Sequence, residues 1–358
     1  MDKERLNNKK SSTRLMAIDY LKAIAVILVI INHSLTNTQQ LKVGGPFWIS
    51  MAVPIFMIVS GFTYSMSASR HESDSFKDYF GRDILVKRIS RFMIPFLIVF
   101  VLEILLKSIV PLNFQSESMK KSIPVLVSFL IGGAGPGSYY IPVLLQFVFV
   151  FPIIYSSYRK STVKTVAMVF SIQLAFDILT NLLNIPGSIY RLLIFRYLSL
   201  IVMGIVLFFN RKELIKRIRF VAFFSIGSII YAFIVNYTSY KPVVFTFWTK
   251  TALPMVFFAF SIVIWGMKVL EIKNTNWITG ITSLMGRASF HIFLTQKLLF
   301  GFGLNKFFRT INFTTLASTI GAVILSSILG VIFYCLEGAI RRIRIDYRNK
   351  DLKRLKNY

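Results

Sequence analysis

A single cysteine, Cys335, rules out an intramolecular disulfide and any cysteine-built metal site. Histidine is almost as scarce, and His33, His71 and His291 are too few for a histidine-rich metal centre. Negative charge is short as well: 15 Asp and Glu stand against 42 Lys and Arg, for a formal charge of +27. Charged residues of both signs make up only 16% of 358 positions, where soluble domains carry roughly 25%. Hydrophobic residues reach 55% and come in long runs separated by basic clusters. These shortages exclude an ordinary soluble fold and leave an all-α polytopic membrane protein. The surplus of cations then needs no nucleic acid, because cytoplasmic segments of such proteins concentrate Lys and Arg. The glycines at 132, 133, 135 and 137 are not followed by Gly-Lys-Ser/Thr, so they form no nucleotide loop. No cleavable signal is expected, since the first apolar run follows a polar tail and carries Asp19 and Lys22 near its start.

Crossing ~30 Å of hydrocarbon takes about 20 mostly apolar residues. Ten runs qualify, near 16–35, 48–68, 92–110, 139–156, 163–183, 191–209, 220–237, 251–268, 279–302 and 315–337. The apolar stretch 123–131 is too short and precedes a glycine-rich turn, which reads as a re-entrant or interfacial piece. Under this division the N-terminal side holds 29 Lys and Arg and the opposite side 9. Both termini are therefore expected in the cytoplasm, as basic tails at 1–15 and 338–358 flanking a membrane domain at 16–337. Trp48, Trp248, Trp265 and Trp277 fall at span ends, as interfacial belts would have them.

Ionisable residues inside a span are costly to keep and so are candidates for function. At about 100° per residue, Lys22 lies within about 20° and Asp19 within about 40° of His33, so one face of the first helix carries all three. If hydrocarbon begins at Ala23, His33 sits ~15 Å further along, near mid-membrane; the plainer alternative is an interfacial histidine. Lys87, Arg88 and Arg91, spaced three and four apart at the cytoplasmic start of the third span, can converge on one side of a helix. Close to free helix amides they would suit a phosphate-bearing ligand, although positive-inside charge belongs there in any case. Glu103, Asp177, Arg196 and Lys297 fall in the outer halves of their spans, where they would either line a polar cavity or pair to fix helix packing.

Set in order, these residues resemble the acyltransferase 3 family of membrane acyltransferases. The family's first span carries an acid, an arginine and, separated from the arginine by ten residues, an essential histidine, and Asp19, Lys22 and His33 occupy those places. FMIVSGF, with Ser60 and Gly61, matches the end of its second span. Lys87, Arg88 and Arg91, followed by Pro95, match its basic element, and LMGRASFHIFLTQ (284–296) resembles its late Gly-x-x-Ser-aromatic segment. Three positions depart: Lys22 replaces arginine, Phe293 replaces a common tyrosine and Gln296 replaces a common second histidine.

The resemblance implies a stand-alone acyltransferase with no extracytoplasmic hydrolase-like domain, similar to those that serve surface polysaccharide synthesis. It implies transfer of an acyl group, acetyl first and succinyl second, from cytoplasmic acyl-CoA to a hydroxyl of a cell-surface polysaccharide or lipid-linked glycan. Acyl-CoA is a co-substrate, and no tightly bound cofactor or metal is expected. Lys87, Arg88 and Arg91, with Ser60, would hold the donor, and His33, assisted by Lys22 and Asp19, would act as general base or transient acyl carrier. Glu103, Asp177, Arg196 and Lys297 are candidates for the acceptor side. The bilayer, a glycan and its synthesis machinery are the expected partners. An exporter of polysaccharide or lipid-linked sugar is the rival reading, since midplane polar groups also mark transport sites; a degenerate or regulatory member is a third, kept open by Lys22 and Gln296.

Overall fold

The computed structural model describes residues 15–70, 80–121, 123–240, 245–249, 252–271 and 276–355. Residues 1–14 of the expected N-terminal tail lie outside them, as do His71 and Lys273. All regular structure among the described residues is helical, and eleven helices have ten residues or more. They are α1 (Met16–Ser34), α2 (Ala52–Ala68), α3 (Arg82–Ile109), α4 (Tyr140–Lys160), α5 (Thr162–Leu182), α6 (Leu198–Lys216), α7 (Ile218–Tyr237), α8 (Val256–Val269), α9 (Trp277–Arg287), α10 (Ser289–Gly301) and α11 (Thr315–Leu355).

Among the described residues, eight segments are long and apolar enough to cross a membrane: α1, α3, α4, α5, α7, the first part of α11, and α2 and α6 with the 3-10 turns that lead into them. The outer helices turn large apolar side chains outward, among them Leu97, Val101 and Leu105 on α3, Phe220 and Phe223 on α7, and Ile320, Ile324 and Ile328 on α11. Water would not tolerate such faces, whereas lipid solvates them. At the centre, α2 crosses α6 at two glycines. A Cβ on Gly61 would strike the Ile201 carbonyl oxygen, and one on Gly204 would strike that of Ile58. Small residues are what let two membrane helices approach this closely, and the crossing fixes the face of α2 that carries Ser60 and Tyr64.

Two of the ten expected spans take another form. Residues 251–268 give a 3-10 turn, Leu253–Met255, and the 14-residue α8, which is only about 21 Å long. Residues 279–302 are broken at Ala288 (φ −82°, ψ 2°) into α9 and α10. The break falls where α9 docks on the start of α1: Gly286 abuts the Asp19 backbone, and Ser283 Oγ donates to Asp19 Oδ2 at 3.2 Å. Hydropathy is summed over a window and passes straight through a break that keeps its apolar composition.

The third span also begins earlier than 92, because α3 starts at Arg82. The Ile84 and Leu85 amides already donate to the Gly81 carbonyl oxygen at 3.0 Å, so the free amides of α3 lie ahead of residue 84, and Arg91 lies about 13 Å beyond Arg82. The expected placing of the basic trio against helix N-terminal amides is corrected accordingly. The stretch 123–131 yields only a six-residue helix, Val125–Leu130, far too short to cross. Phe129 anchors it against Phe96 and Phe100, each at 5.5 Å. At the C-terminus α11 continues as helix beyond 337, where a tail was expected to begin.

Candidate active site

One cavity of about 1710 Å³ runs alongside α1. Asp19, Lys22, Val29, Asn32 and His33 all line it, so the face read from helical geometry is the face that meets the cavity. From Asp19 to His33 the helix rises about 21 Å. The cavity is therefore elongated, and it exceeds the ~300–1000 Å³ of ordinary small-ligand pockets.

His33 occupies the last turn of α1, and the chain beyond it is arranged to hold that turn. Thr36 and Gln39 form a reciprocal capping box that starts the short helix Asn37–Lys42. Gln40 Nε2 donates back to the Asn32 carbonyl at 2.8 Å, and Asn305 Nδ2 donates to the His33 carbonyl at 2.9 Å. These bonds satisfy carbonyls that a helix end leaves open. The imidazole packs at 6.2 Å from the Phe300 ring. Gly137, in a left-handed conformation at φ +82°, faces it so closely that a Cβ would sit 3.5 Å from Nε2.

The other end of the cavity is strongly charged. Lys22, Arg91, Arg287, Arg341 and Arg342 line it, together with Asp19 and Glu337. Glu337 is shared: its Oε2 meets His291 Nε2 at 2.6 Å, and its Oε1 accepts from Arg341 at 2.6 Å. Of the basic trio only Arg91 reaches the cavity lining. Arg88 lies 5.1 Å over the Tyr64 ring, a cation–π contact, and Lys87 is exposed. Their convergence on one ligand is thus reduced to Arg91, with Arg88 acting on Tyr64, which itself lines the cavity.

The four outer ionisable residues divide. Lys297 and Glu103 form a buried ion pair at 2.6 Å, and the Ala134 amide donates to Glu103 at 2.7 Å. Neither side chain lines the cavity, which corrects the reading of them as substrate contacts. Asp177 is likewise taken up, accepting from Tyr190 Oη at 2.9 Å and Trp248 Nε1 at 2.8 Å. Arg196 does line the cavity, held over the rings of Tyr190 (5.0 Å) and Tyr197 (5.4 Å).

Four sequence elements far apart in the chain thus meet on one cavity: Asp19, Lys22 and His33; Ser60; Arg91; and residues 284–293, including Arg287 and His291. A family model described as an acyltransferase domain matches residues 16–335. The chain belongs to the acyltransferase 3 family. No curated protein and no solved structure matches it. As an acyltransferase 3 member it is a membrane acyltransferase, and the family's residues can be placed one by one. Gln296, standing where a second histidine is common in the acyltransferase 3 family, is fully buried and outside the cavity lining. Neither of its amide atoms has a hydrogen-bond partner among the described residues, and nothing in the structure explains that.

Arg287, His291, Glu337, Arg341, Arg342 and Arg191 were not singled out from sequence. Arg287 and His291 lie inside the quoted 284–296 motif, so a signal for them existed. Arg341 and Arg342 were hidden among topology charges, because charge counting cannot distinguish a cavity mouth from any other cytoplasmic surface.

Proposed function

We propose that the protein moves an acyl group, acetyl or succinyl, from cytoplasmic acyl-CoA to a hydroxyl of a cell-surface polysaccharide or lipid-linked glycan. The observation that carries this reading is the single cavity joining the cationic end at Lys22 and Arg91 to His33. In this reading both termini are cytoplasmic in the cell membrane, on the strength of the charge count, and the glycan synthesis machinery is the partner.

The donor's phosphates meet Arg91, Arg341 and Arg342, where charge-assisted hydrogen bonds are strongest, and its pantetheine arm follows α1 toward His33. There the neutral imidazole takes the proton of the acceptor hydroxyl as its oxygen attacks the thioester carbonyl. The C–S bond breaks, the proton passes to the departing thiolate, and an O-acyl ester and free CoA result. Transient acylation of the imidazole followed by transfer to the hydroxyl gives the same products. Lys22, on the same face but about 16 Å from His33 along α1, steers the anionic donor at the cationic end, with Asp19 beside it.

The test is mass spectrometry of surface glycans from wild-type cells and a His33→Ala strain. Acylation should disappear while protein level and insertion are kept, because losing a polar side chain makes α1 easier to insert. Acylation at the wild-type level would sink the role of His33. Loss of glycan export with unchanged acylation per sugar would favour an exporter.

A further inference from the structure

The two ends of the cavity differ in charge in a way that acyl transfer alone does not require. Its lining carboxylates among the described residues, Asp19 and Glu337, both stand at the Lys22 end, engaged with Ser283 and with His291 and Arg341. The His33 end has two guanidinium groups, Arg191 and Arg196, and no lining carboxylate among the described residues. The positive-inside rule accounts for arginines at the Lys22 end. It gives no reason for these two at the opposite end.

Their setting makes the point sharper. Arg196 is buried, at 9% exposure, in the 3-10 turn Ile194–Tyr197 directly ahead of α6. α4 likewise begins at this end, with Tyr139 and Tyr140 in the lining, and neither helix has a side-chain cap. Helix N-termini carry partial positive charge, which adds to that of the guanidinium groups facing the cavity; the Asp177 carboxylate, whose charge also acts on Arg196, lies outside the lining. Ser50 gives an independent indication. It lines the cavity at 7% exposure, and its Oγ has no hydrogen-bond partner among the described residues. A buried hydroxyl in that state has a donor to offer.

We infer that the acceptor bound at the His33 end is an anionic glycan, one bearing phosphate or carboxylate groups that Arg191 and Arg196 receive. The inference rests on the acyltransferase reading above and names the substrate class for it. Arg191, exposed on the short helix Gly187–Leu192, makes first contact. Arg196, fixed between two tyrosine rings, sets the position of the anion, and the hydroxyl to be acylated is thereby presented to His33.

The experiment uses purified protein in detergent, labelled acyl-CoA and three matched oligosaccharides: neutral, phosphate-substituted and uronate-containing. Charged acceptors should exceed the neutral one in kcat/KM by about 10- to 100-fold, the worth of a charge-assisted contact. Arg191→Gln should remove most of that preference and Arg191→Lys should keep part of it, and the better charged arm names the source of the anion. Equal kcat/KM for neutral and charged acceptors, or an unchanged preference in Arg191→Gln, overturns the inference while leaving acyl transfer intact. Equilibrium binding of the same oligosaccharides, which needs no turnover, is measured in parallel. If no acceptor is acylated the proposed function fails, and charge-selective, salt-sensitive binding lost in Arg191→Gln still supports the anion site, whereas equal binding of all three refutes it.

Discussion

Replacing Lys297 by Met tests whether the buried pair with Glu103 belongs to the packing or to the substrate. The Lys297 side chain is fully buried and that of Glu103 is 5% exposed. Without the ammonium, the carboxylate keeps the Ala134 amide at 2.7 Å as its one remaining hydrogen-bond partner among the described residues. Gly133, at φ +89°, lies so close that a Cβ there would overlap Lys297 Nζ and sit 2.6 Å from Glu103 Oε2, so the loop is moulded on the pair. Breaking a buried pair from one side costs about 3–5 kcal/mol, because a buried charge is left uncompensated. That is a factor of about 150 to 5000 in the folded-to-unfolded ratio. Adding Glu103→Gln removes the charge yet still offers an oxygen to Ala134, and should recover all but about 1–2 kcal/mol. The assay is unfolding in mixed micelles followed by circular dichroism, run as a double-mutant cycle. A Lys297→Met protein as stable as wild type, or a double variant no better than the sum of the singles, would refute the structural role.

Three further outcomes are expected. Arg91→Gln should raise the KM for acyl-CoA by about 10- to 150-fold, as losing one charge-assisted phosphate contact requires, while Lys87→Gln leaves it unchanged; equal effects in membrane assays would restore the trio as a unit. Lys22→Arg should keep most acyl transfer and Lys22→Met should lose it, since both cations supply charge and only arginine supplies a planar fork; full activity in the Met variant removes any electrostatic role for position 22. Gly137→Ala and Gly44→Ala both force alanine into a left-handed conformation, at about 1–2 kcal/mol each. Only the first crowds His33, because nothing lies within 4 Å of a Cβ on Gly44, so thermal midpoints should fall in both and acyl transfer in Gly137→Ala alone.

Some features were legible because they depend on residues close in the chain. Asp19, Lys22 and His33 share a helix, so 3.6 residues per turn was enough to put them on one face, and they line one cavity. The shortness of 123–131 and the membrane class followed from composition and run length. Helix ends were less legible: charged residues of good helix propensity carry α3 back to Arg82 and α11 on past 337, and hydropathy does not register them.

By itself the sequence determined a helical membrane protein, the polar face of α1 that meets the cavity and, through four ordered motifs, the family. Only tertiary structure decided which charges meet. Lys297 is 194 positions from Glu103, and His291 is 46 from Glu337, and at such separations no periodicity specifies a partner. The packing of α10 and α11 and the glycine turn at 132–137 bring those groups together. The same packing assigned Glu103 and Lys297 to the interior and Arg196 to the cavity, though all three look alike in a hydropathy trace. Burial and pairing are properties of the space between helices, and that space exists only once the helices have packed.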